Sequence, residues 1–349
     1  MKLLNEEDMD NKILVSVSCT VFNHAPYLRQ CLEGLVMQKT DFKYEVIVHD
    51  DASTDGSGDI VREYAQKYPD IIVPFIESEN QYSQGKKLEV SRNVNRMMKG
   101  KYVALCEGDD YWIDPNKLQM QVDYLEEHPE CNLCHTSFKY YYEEEKKFYE
   151  SNDIEKNRLN PITKLQDFYN GYWVQYVTIM YRKAVLDKIM EDNPFLFGGY
   201  FKMGDSQICF ELLKSGPIHF IPKVTCVYRK NEGSATRGGA KSQCRFRLST
   251  CELHWYYSLH CDFDEWFKEW KKKEMRAALV NYRAFDYDFV SQVPFEYELT
   301  TLEKFVLKTG ILKTKIYLNY RLRRTFGKHL HKLRYKYLKV FGGASRKNG

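Results

Sequence analysis

The sequence has no stretch approaching the roughly 20 apolar residues that a membrane-spanning helix requires. Its longest apolar runs, such as Ile71-Ile72-Val73-Pro74-Phe75-Ile76, are strand-sized, so any membrane role is expected to be peripheral. A signal-peptide h-region is missing, and the ten cysteines are scattered without a disulfide framework. Both absences point to free thiols in a reducing compartment, with the cytoplasm as the expected location. No internal repeat appears, which removes solenoids and propellers from consideration.

Two phosphate-binding signatures are also missing. A dehydrogenase would show Gly-x-Gly-x-x-Gly after its first strand, and an NTPase would show Gly-x-x-x-x-Gly-Lys. Here the corresponding segment, Val21-Phe22-Asn23-His24-Ala25-Pro26, contains no glycine. A backbone cradle for phosphate is therefore excluded there.

What is present is an ordinary globular composition with many aromatics: 43% hydrophobic and 29% charged residues, 27 Tyr and 20 Phe in 349 residues. At that length one enlarged domain, or a domain with appendages, is expected. The net charge of +4 hides an asymmetry. Residues 303–349 carry 14 Lys and Arg against one acid, leaving 38 basic and 47 acidic residues before them. An acidic body argues against a nucleic-acid groove, and no RNA-recognition module accompanies the basic tail.

The hydrophobic periodicity alternates between strand and helix. Strand Ile13–Cys19 precedes a helix bearing Leu28, Cys31, Leu32, Leu35 and Val36. Strand Tyr44–His49, loop Asp50–Ser57 and a helix bearing Ile60, Val61, Tyr64 and Ala65 lead to strand Ile71–Ile76. A helix over Leu88–Met98 then delivers strand Tyr102–Cys106. Such βαβ repetition predicts a largely parallel sheet flanked by helices. Asp114 and Pro115 predict a helix start, Asn132–Tyr140 a strand, and Tyr141–Asn160 an exposed hairpin or loop. Strand Val174–Tyr181, helices Lys183–Met190 and Ser206–Lys214, and strand Ile218–Tyr228 complete a second half. From about Lys241 the pattern becomes helical. The expected organisation is residues 1–240 as one domain, with halves 13–140 and 141–240. A helical region, 241–349, follows and ends in the basic amphipathic tail 303–349.

In a parallel α/β sheet, ligands bind beyond the carboxyl ends of the strands. Three polar clusters fall at such ends: Thr20–Tyr27, Asp50–Asp55 and Glu107–Asp110. Carboxylates there would repel a diphosphate unless a cation intervenes, and hard oxygen ligands suit Mg²⁺ or Mn²⁺. A helix cap is the other use of such Asp-rich turns. The Cys131-x-x-Cys134-His135 pattern lacks a second cysteine pair at zinc spacing and reads as buried thiols on a strand.

Four ordered segments resemble the family 2 glycosyltransferases, over residues 13 to about 235. Val15 to Asn23 is similar to that family's first strand and donor loop, and Glu45 to Ser57 to its second. Ser91-Arg92-Asn93 followed by Glu107-Gly108-Asp109-Asp110-Tyr111-Trp112 matches its Arg-Asn pair and metal motif. Lys202 to Leu213 matches its helix start bearing the catalytic base. The resemblance implies a GT-A (Rossmann-like) fold with a mixed, mainly parallel sheet.

It also implies roles. Thr20, Phe22 and Asn23 would border the base, Asp51 would accept from the base edge and Arg92 would neutralise donor charge. Asp109 would touch the ribose, Asp110 the metal (Mn²⁺ or Mg²⁺), and Asp205 would be the base. Glu107-Gly108 departs from the family's more usual leading Asp. Asn231 stands where the family has His after Tyr-Arg, leaving Arg229 or Lys230 to carry charge. Trp173 and Gln175 fall on the acceptor side, although a Trp is more often core.

These expectations describe an inverting enzyme that takes a nucleotide-sugar, with UDP preferred, and a glycan or polyprenyl-linked glycan acceptor. It would sit at the inner face of the cell membrane through its basic tail. A homo-oligomer through the same helix is the other use of that tail. A sugar-nucleotide nucleotidyltransferase shares the core but would need a Gly-rich first loop with Arg and Lys. A non-catalytic glycan- or lipid-binding scaffold of the same fold is a third reading.

Overall fold

The computed structural model describes residues 12–197, 199–231, 239–291, 293, 295 and 298–319. The first half runs β1 (Ile13–Val21), α1 (Ala25–Val36), β2 (Lys43–Asp50), α2 (Ser57–Lys67), β3 (Ile72–Ile76), α3 (Lys87–Met97) and β4 (Tyr102–Glu107). β1, β2 and β4 are almost continuously buried, as parallel strands covered on both faces must be. β1 pairs in parallel with β2 and β4, and β3 adds in parallel to β2. α1 turns Leu28, Cys31, Leu32 and Leu35 inward, with proline in its first turn where no N–H is needed. These side chains form one core with Val15, Val17, Val46 and Val48 of the sheet. Each such side chain contributes about 1.5–3 kcal/mol on burial.

The second half comprises β5 (Tyr111–Trp112), α4 (Lys117–Glu127), β6 (Leu133–Tyr142), β7 (Lys147–Glu150), α5 (Asp153–Lys156) and α6 (Leu165–Tyr169). Then come β8 (Ile179–Arg182), α7 (Lys183–Asp192), α8 (Pro194–Phe197), α9 (Gly204–Ser215) and β9 (Ile218–Lys230). The strand order is β3-β2-β1-β4-β8-β6-β9-β5, with β7 on β6, giving a nine-stranded mixed sheet. β8 enters antiparallel between β4 and β6, and β9 runs parallel to β6.

Three local expectations are corrected. The strand expected from Val174 begins only at Ile179, because Thr178 returns both its N–H (2.9 Å) and its hydroxyl (2.6 Å) to the Gln175 carbonyl and closes a 3₁₀ turn. The helix expected from Pro115 starts at Lys117. Asp114 instead caps the preceding turn, accepting from Asn116 N at 2.9 Å, and pairs with Lys223 of β9 at 2.7 Å. β5 was not signalled at all, since two residues are too few to show periodicity.

The chain clusters into two compact units, Met1–Glu232 and Gly233–Gly349. The second holds α10 (Ala240–His260), α11 (Glu265–Arg283), α12 (Thr301–Lys308) and a helical segment at 311–319. α11 is capped by Asp264 and α12 by a Thr300–Glu303 capping box. Among the described residues no helix is long and apolar enough to cross a membrane. The ten cysteines are free thiols, and eight of them, including Cys131 and Cys134, are buried.

Candidate active site

Register brings the three polar clusters to one edge of the sheet. Thr20 lies beside Glu107, and Val21 beside Asp50. The loop after β2 is then laced to the loop after β1. Ser53 Oγ donates to Asp50 and accepts the Asn23 N–H at 2.8 Å, while Asn23 Oδ1 accepts the Thr54 N–H at 2.9 Å. Asp55 takes the N–H groups of Ala25 (2.9 Å) and Ser57 (3.0 Å). Asn23 thus fastens one loop to the other, and its amide oxygen is occupied by the protein. Asp51 behaves likewise, since its two carboxylate oxygens accept the main-chain N–H groups of Gln81 (2.7 Å) and Tyr82 (3.1 Å). Phe22 is different. Its ring is 47% exposed at the edge, open to stack on a planar ligand.

The acidic turn leaves β4 through Gly108, whose N–H bonds the Thr20 carbonyl at 2.8 Å. A Cβ at Gly108 would stand 2.8 Å from His24 Nδ1 and 3.0 Å from Val21 Cγ2, so the close approach requires glycine. This accounts for Gly108 but not for Glu107 in place of the family's usual Asp. Beyond the turn, β5 pairs with β9, Tyr111 facing Val227. That pairing sets Arg229 against the turn.

The main-chain N–H of Arg229 donates to Asp110 Oδ1 at 2.8 Å, and its Nε to the Asp109 carbonyl at 2.8 Å. Nη1 pairs with Glu143 at 2.5 Å and Nη2 with Gln30 at 2.6 Å. The guanidinium also lies 4.7 Å from the Tyr27 ring centroid and 5.3 Å from those of Tyr111 and Tyr141. Arg229 is therefore at the site but buried behind it, holding the turn. The reading that gave it the donor's charge is replaced by this structural one, because each of its nitrogens already has a protein partner. Asn231 Nδ2 donates to Asp109 Oδ2 at 2.9 Å.

Asp110 is fully enclosed, and its second oxygen, Oδ2, is buried without a hydrogen-bond partner. Burial first, then the neighbouring Asp109 and Glu107 carboxylates, raise its pKa well above the ordinary value. Burial likewise pushes Glu107 up to about 8, with Asp109 and Asp205 adding to the effect and Lys87 opposing it. Asp205 opens α9, accepts the Ser206 N–H at 2.7 Å and is also raised by burial. Asp205 adds to the upward shift of Glu107, so the acidic turn and α9 lie within electrostatic reach of one another.

The remaining expected residues lie on other elements. Arg92 is exposed on α3. Trp173 is 40% exposed, not core; Lys156 lies 4.2 Å from its ring centroid and Asn157 brackets its main chain. Gln175 supplies the carbonyl that closes the 3₁₀ turn, next to Tyr176, whose hydroxyl is affected by Glu107 and Asp205. The sequence did not reveal Lys87, Gln30 or Glu143 as members of the site. Lys87 immediately precedes the Leu88–Met98 periodicity and carried no motif of its own.

A divalent cation fits this chemistry. Among the described residues no group of three or more His, Cys, Asp or Glu could hold a metal alone. Mg²⁺ and Mn²⁺ need no such cage, being held by one or two carboxylates with water and substrate phosphates. The orphaned Asp110 Oδ2 among like charges is the kind of atom such an ion satisfies.

Comparison with known proteins agrees with this geometry. The family described as glycosyl transferase family 2 matches residues 16–190, which include the acidic turn and exclude Asp205 and Arg229. An uncharacterised protein of Mycobacterium tuberculosis is 32% identical over 221 residues, 62% of this chain and 58% of the relative. An uncharacterised glycosyltransferase of Methanocaldococcus jannaschii is 28% identical over 191 residues, 54% of this chain and 62% of the relative. The chain thus spans less than two thirds of the length of these relatives. Staphylococcus aureus TarS 1–349, solved with UDP-GlcNAc, superposes with a TM-score of 0.54 at 18% identity, over 88% of this chain and 79% of TarS. With its GT-A fold, three polar clusters at one sheet edge and a family match across half its length, the chain belongs to glycosyl transferase family 2.

Proposed function

We propose that the protein is an inverting, metal-dependent glycosyltransferase that moves a sugar from a nucleotide-sugar, preferentially a UDP-sugar, to a hydroxyl of a lipid-linked or growing surface glycan. The observation that carries this reading is the buried, unpartnered Asp110 Oδ2 at the carboxyl edge of the sheet, with Asp205 electrostatically linked to the same turn.

In this mechanism Asp110 would hold Mg²⁺ or Mn²⁺, and Asp109 would touch the donor ribose. The bound ion supplies Lewis-acid relief of the charge that develops on the departing diphosphate. Phe22 and Thr20 border the base, and Arg92 is free to meet the donor from α3. Asp205 accepts the proton of the acceptor hydroxyl as its oxygen bonds to the anomeric carbon and the bond to the diphosphate breaks on the opposite face. General-base assistance of this kind contributes about 10²–10⁴-fold. Burial raises the pKa of Asp205, which makes its carboxylate a stronger proton acceptor than that of an exposed aspartate. Trp173 and Gln175 would meet the acceptor, a part-exposed indole suiting a sugar ring.

The described part of the tail supports attachment to an anionic membrane surface on the cytoplasmic side. Phe305, Ile311 and Leu318 are 57–59% exposed, and Lys304, Lys308, Lys313 and Lys315 lie among them. The remainder of that tail lies outside the described residues.

A donor-hydrolysis screen across UDP-, GDP- and dTDP-sugars with Mn²⁺ and Mg²⁺ tests the activity. Sugar transfer that survives both Asp110→Ala and Asp205→Asn in folded protein sinks the assignment. Equal binding of the full chain and of a chain ending at residue 302 to anionic vesicles sinks the membrane role.

A further inference from the structure

The base has a cation beside it that no motif identifies. Lys87 opens α3, directly after the 80–86 loop that Asp51 anchors through Gln81 and Tyr82. Its stem runs beneath the segment that leads into α9. A Cβ at Gly199 would stand 3.0 Å from Lys87 Cβ, and a Cβ at Gly204 would stand 4.0 Å from Lys87 Nζ. Gly204 is the residue before Asp205, so the packing delivers the ammonium to the start of α9.

The charged and titratable groups around this point come from five elements. Asp205 and Cys209 belong to α9, Glu107 ends β4, and Tyr176 lies on the 3₁₀ turn before β8. Tyr82 comes from the loop before α3 and Lys202 from the segment before α9. Lys87 makes no hydrogen bond and no ion pair with the described residues, so its charge acts on Asp205 and Glu107 through space. Of the other cations, Arg229 has a protein partner on each nitrogen, Arg92 is exposed on α3, and Lys202 lies 5.4 Å from the Tyr82 ring centroid.

This matters because Asp205 and Glu107 are two half-buried carboxyl groups, both raised by burial, and Asp205 disfavours the ionisation of Glu107. A protonated Asp205 cannot take a proton. We propose that Lys87 is a positioning residue whose ammonium holds Asp205 in the ionised form that accepts the acceptor's proton. The inference rests on Asp205 being the base.

The sign follows from Coulomb's law. Removing a nearby positive charge disfavours the carboxylate, so the Asp205 midpoint rises, by about one pH unit for a cation that is near but not in contact. The acidic limb of the kcat profile moves up with it.

The test uses the full chain labelled with ¹³C at aspartate carboxyl carbons, titrated by NMR as wild type, Lys87→Met and Lys87→Arg, with Asp205→Asn assigning the resonance. Donor hydrolysis, using the nucleotide-sugar turned over fastest in the screen, gives the matching kcat and KM profiles. The expected result is an Asp205 midpoint and an acidic kcat limb both raised by about one unit in Lys87→Met and restored in Lys87→Arg, with donor KM unchanged. Lys87→Gln replaces the Met variant if the latter does not fold. An unmoved midpoint in a folded variant overturns the proposal. An unmoved midpoint with a raised donor KM also overturns it and reassigns Lys87 to direct donor contact. Full turnover by Asp205→Asn would overturn the base assignment itself, whatever the NMR midpoint does, so the two failures are told apart.

Discussion

The main-chain N–H of Arg229 holds one carboxylate oxygen of Asp110 at 2.8 Å while the other oxygen is buried with no hydrogen-bond partner. The carboxylate is thereby fixed in orientation through one oxygen, while the other keeps an unmet need for a cation or a proton. Arg229 aims the group without saturating it.

Metal binding can be read without turnover. Mn²⁺ with UDP should raise the Tm of the wild-type chain, by an amount equivalent to about 2.7 kcal/mol at a hundredfold excess over Kd. Asp110→Asn should abolish that rise and lower sugar transfer by about 100-fold or more. A calorimetric scan showing the same rise in both proteins would remove Asp110 from the metal site.

Glu107 gives a pH dependence of defined sign. Its folded-state pKa is raised to about 8 from 4.5, so the folded form binds the proton more tightly than the unfolded form. The stabilisation is full below the ordinary carboxylate range and is lost as pH rises through about 8, with a slope of up to roughly 1.4 kcal/mol per unit. Urea denaturation of the metal-free protein between pH 5 and about 9 should show this decline, and Glu107→Gln should make it shallower, with the raised Asp110 and Asp205 carboxyl groups supplying the remainder.

Arg229→Met should destabilise the fold by about 2 kcal/mol, because it leaves Glu143 with Lys146 alone, removes the donor to the Asp109 carbonyl and takes a cation from among three tyrosine rings. Thermal and urea unfolding both report this. Arg92→Ala, on an exposed helix face, should stay within about 0.5 kcal/mol of wild type. Equal stability losses in the two variants would show that Arg229 does not hold the turn.

Gly108→Ala should displace the acidic turn, since the added methyl would stand 2.8 Å from His24 Nδ1 and 3.0 Å from Val21 Cγ2. A stability cost of about 1–3 kcal/mol is expected. Activity should fall about tenfold or more, because the turn that positions Asp109 and Asp110 moves with it. A variant with wild-type kinetics would show that the turn tolerates displacement.

The sequence by itself determined the alternation of strand and helix, because each element's periodicity records which of its own faces is buried. Since ligands bind at the carboxyl edge of parallel strands, that alternation also placed Thr20, Asp50 and Glu107 together, and the motif residues identified the family. Beyond that point the sequence could not reach. Asp51 and Asn23 were expected to meet the donor, and the structure shows that they also fasten neighbouring loops. Arg229 was expected to carry donor charge, yet β5 pairs with β9 and turns it inward. Lys87 showed no motif. Each of these outcomes joins residues far apart in the chain, such as Asp110 and Arg229, separated by 119 positions. A hydrogen bond between such partners leaves no periodic trace in either segment. Whether a polar side chain is free for substrate or already satisfied is set by the packing of elements around it, and only the tertiary structure decides that.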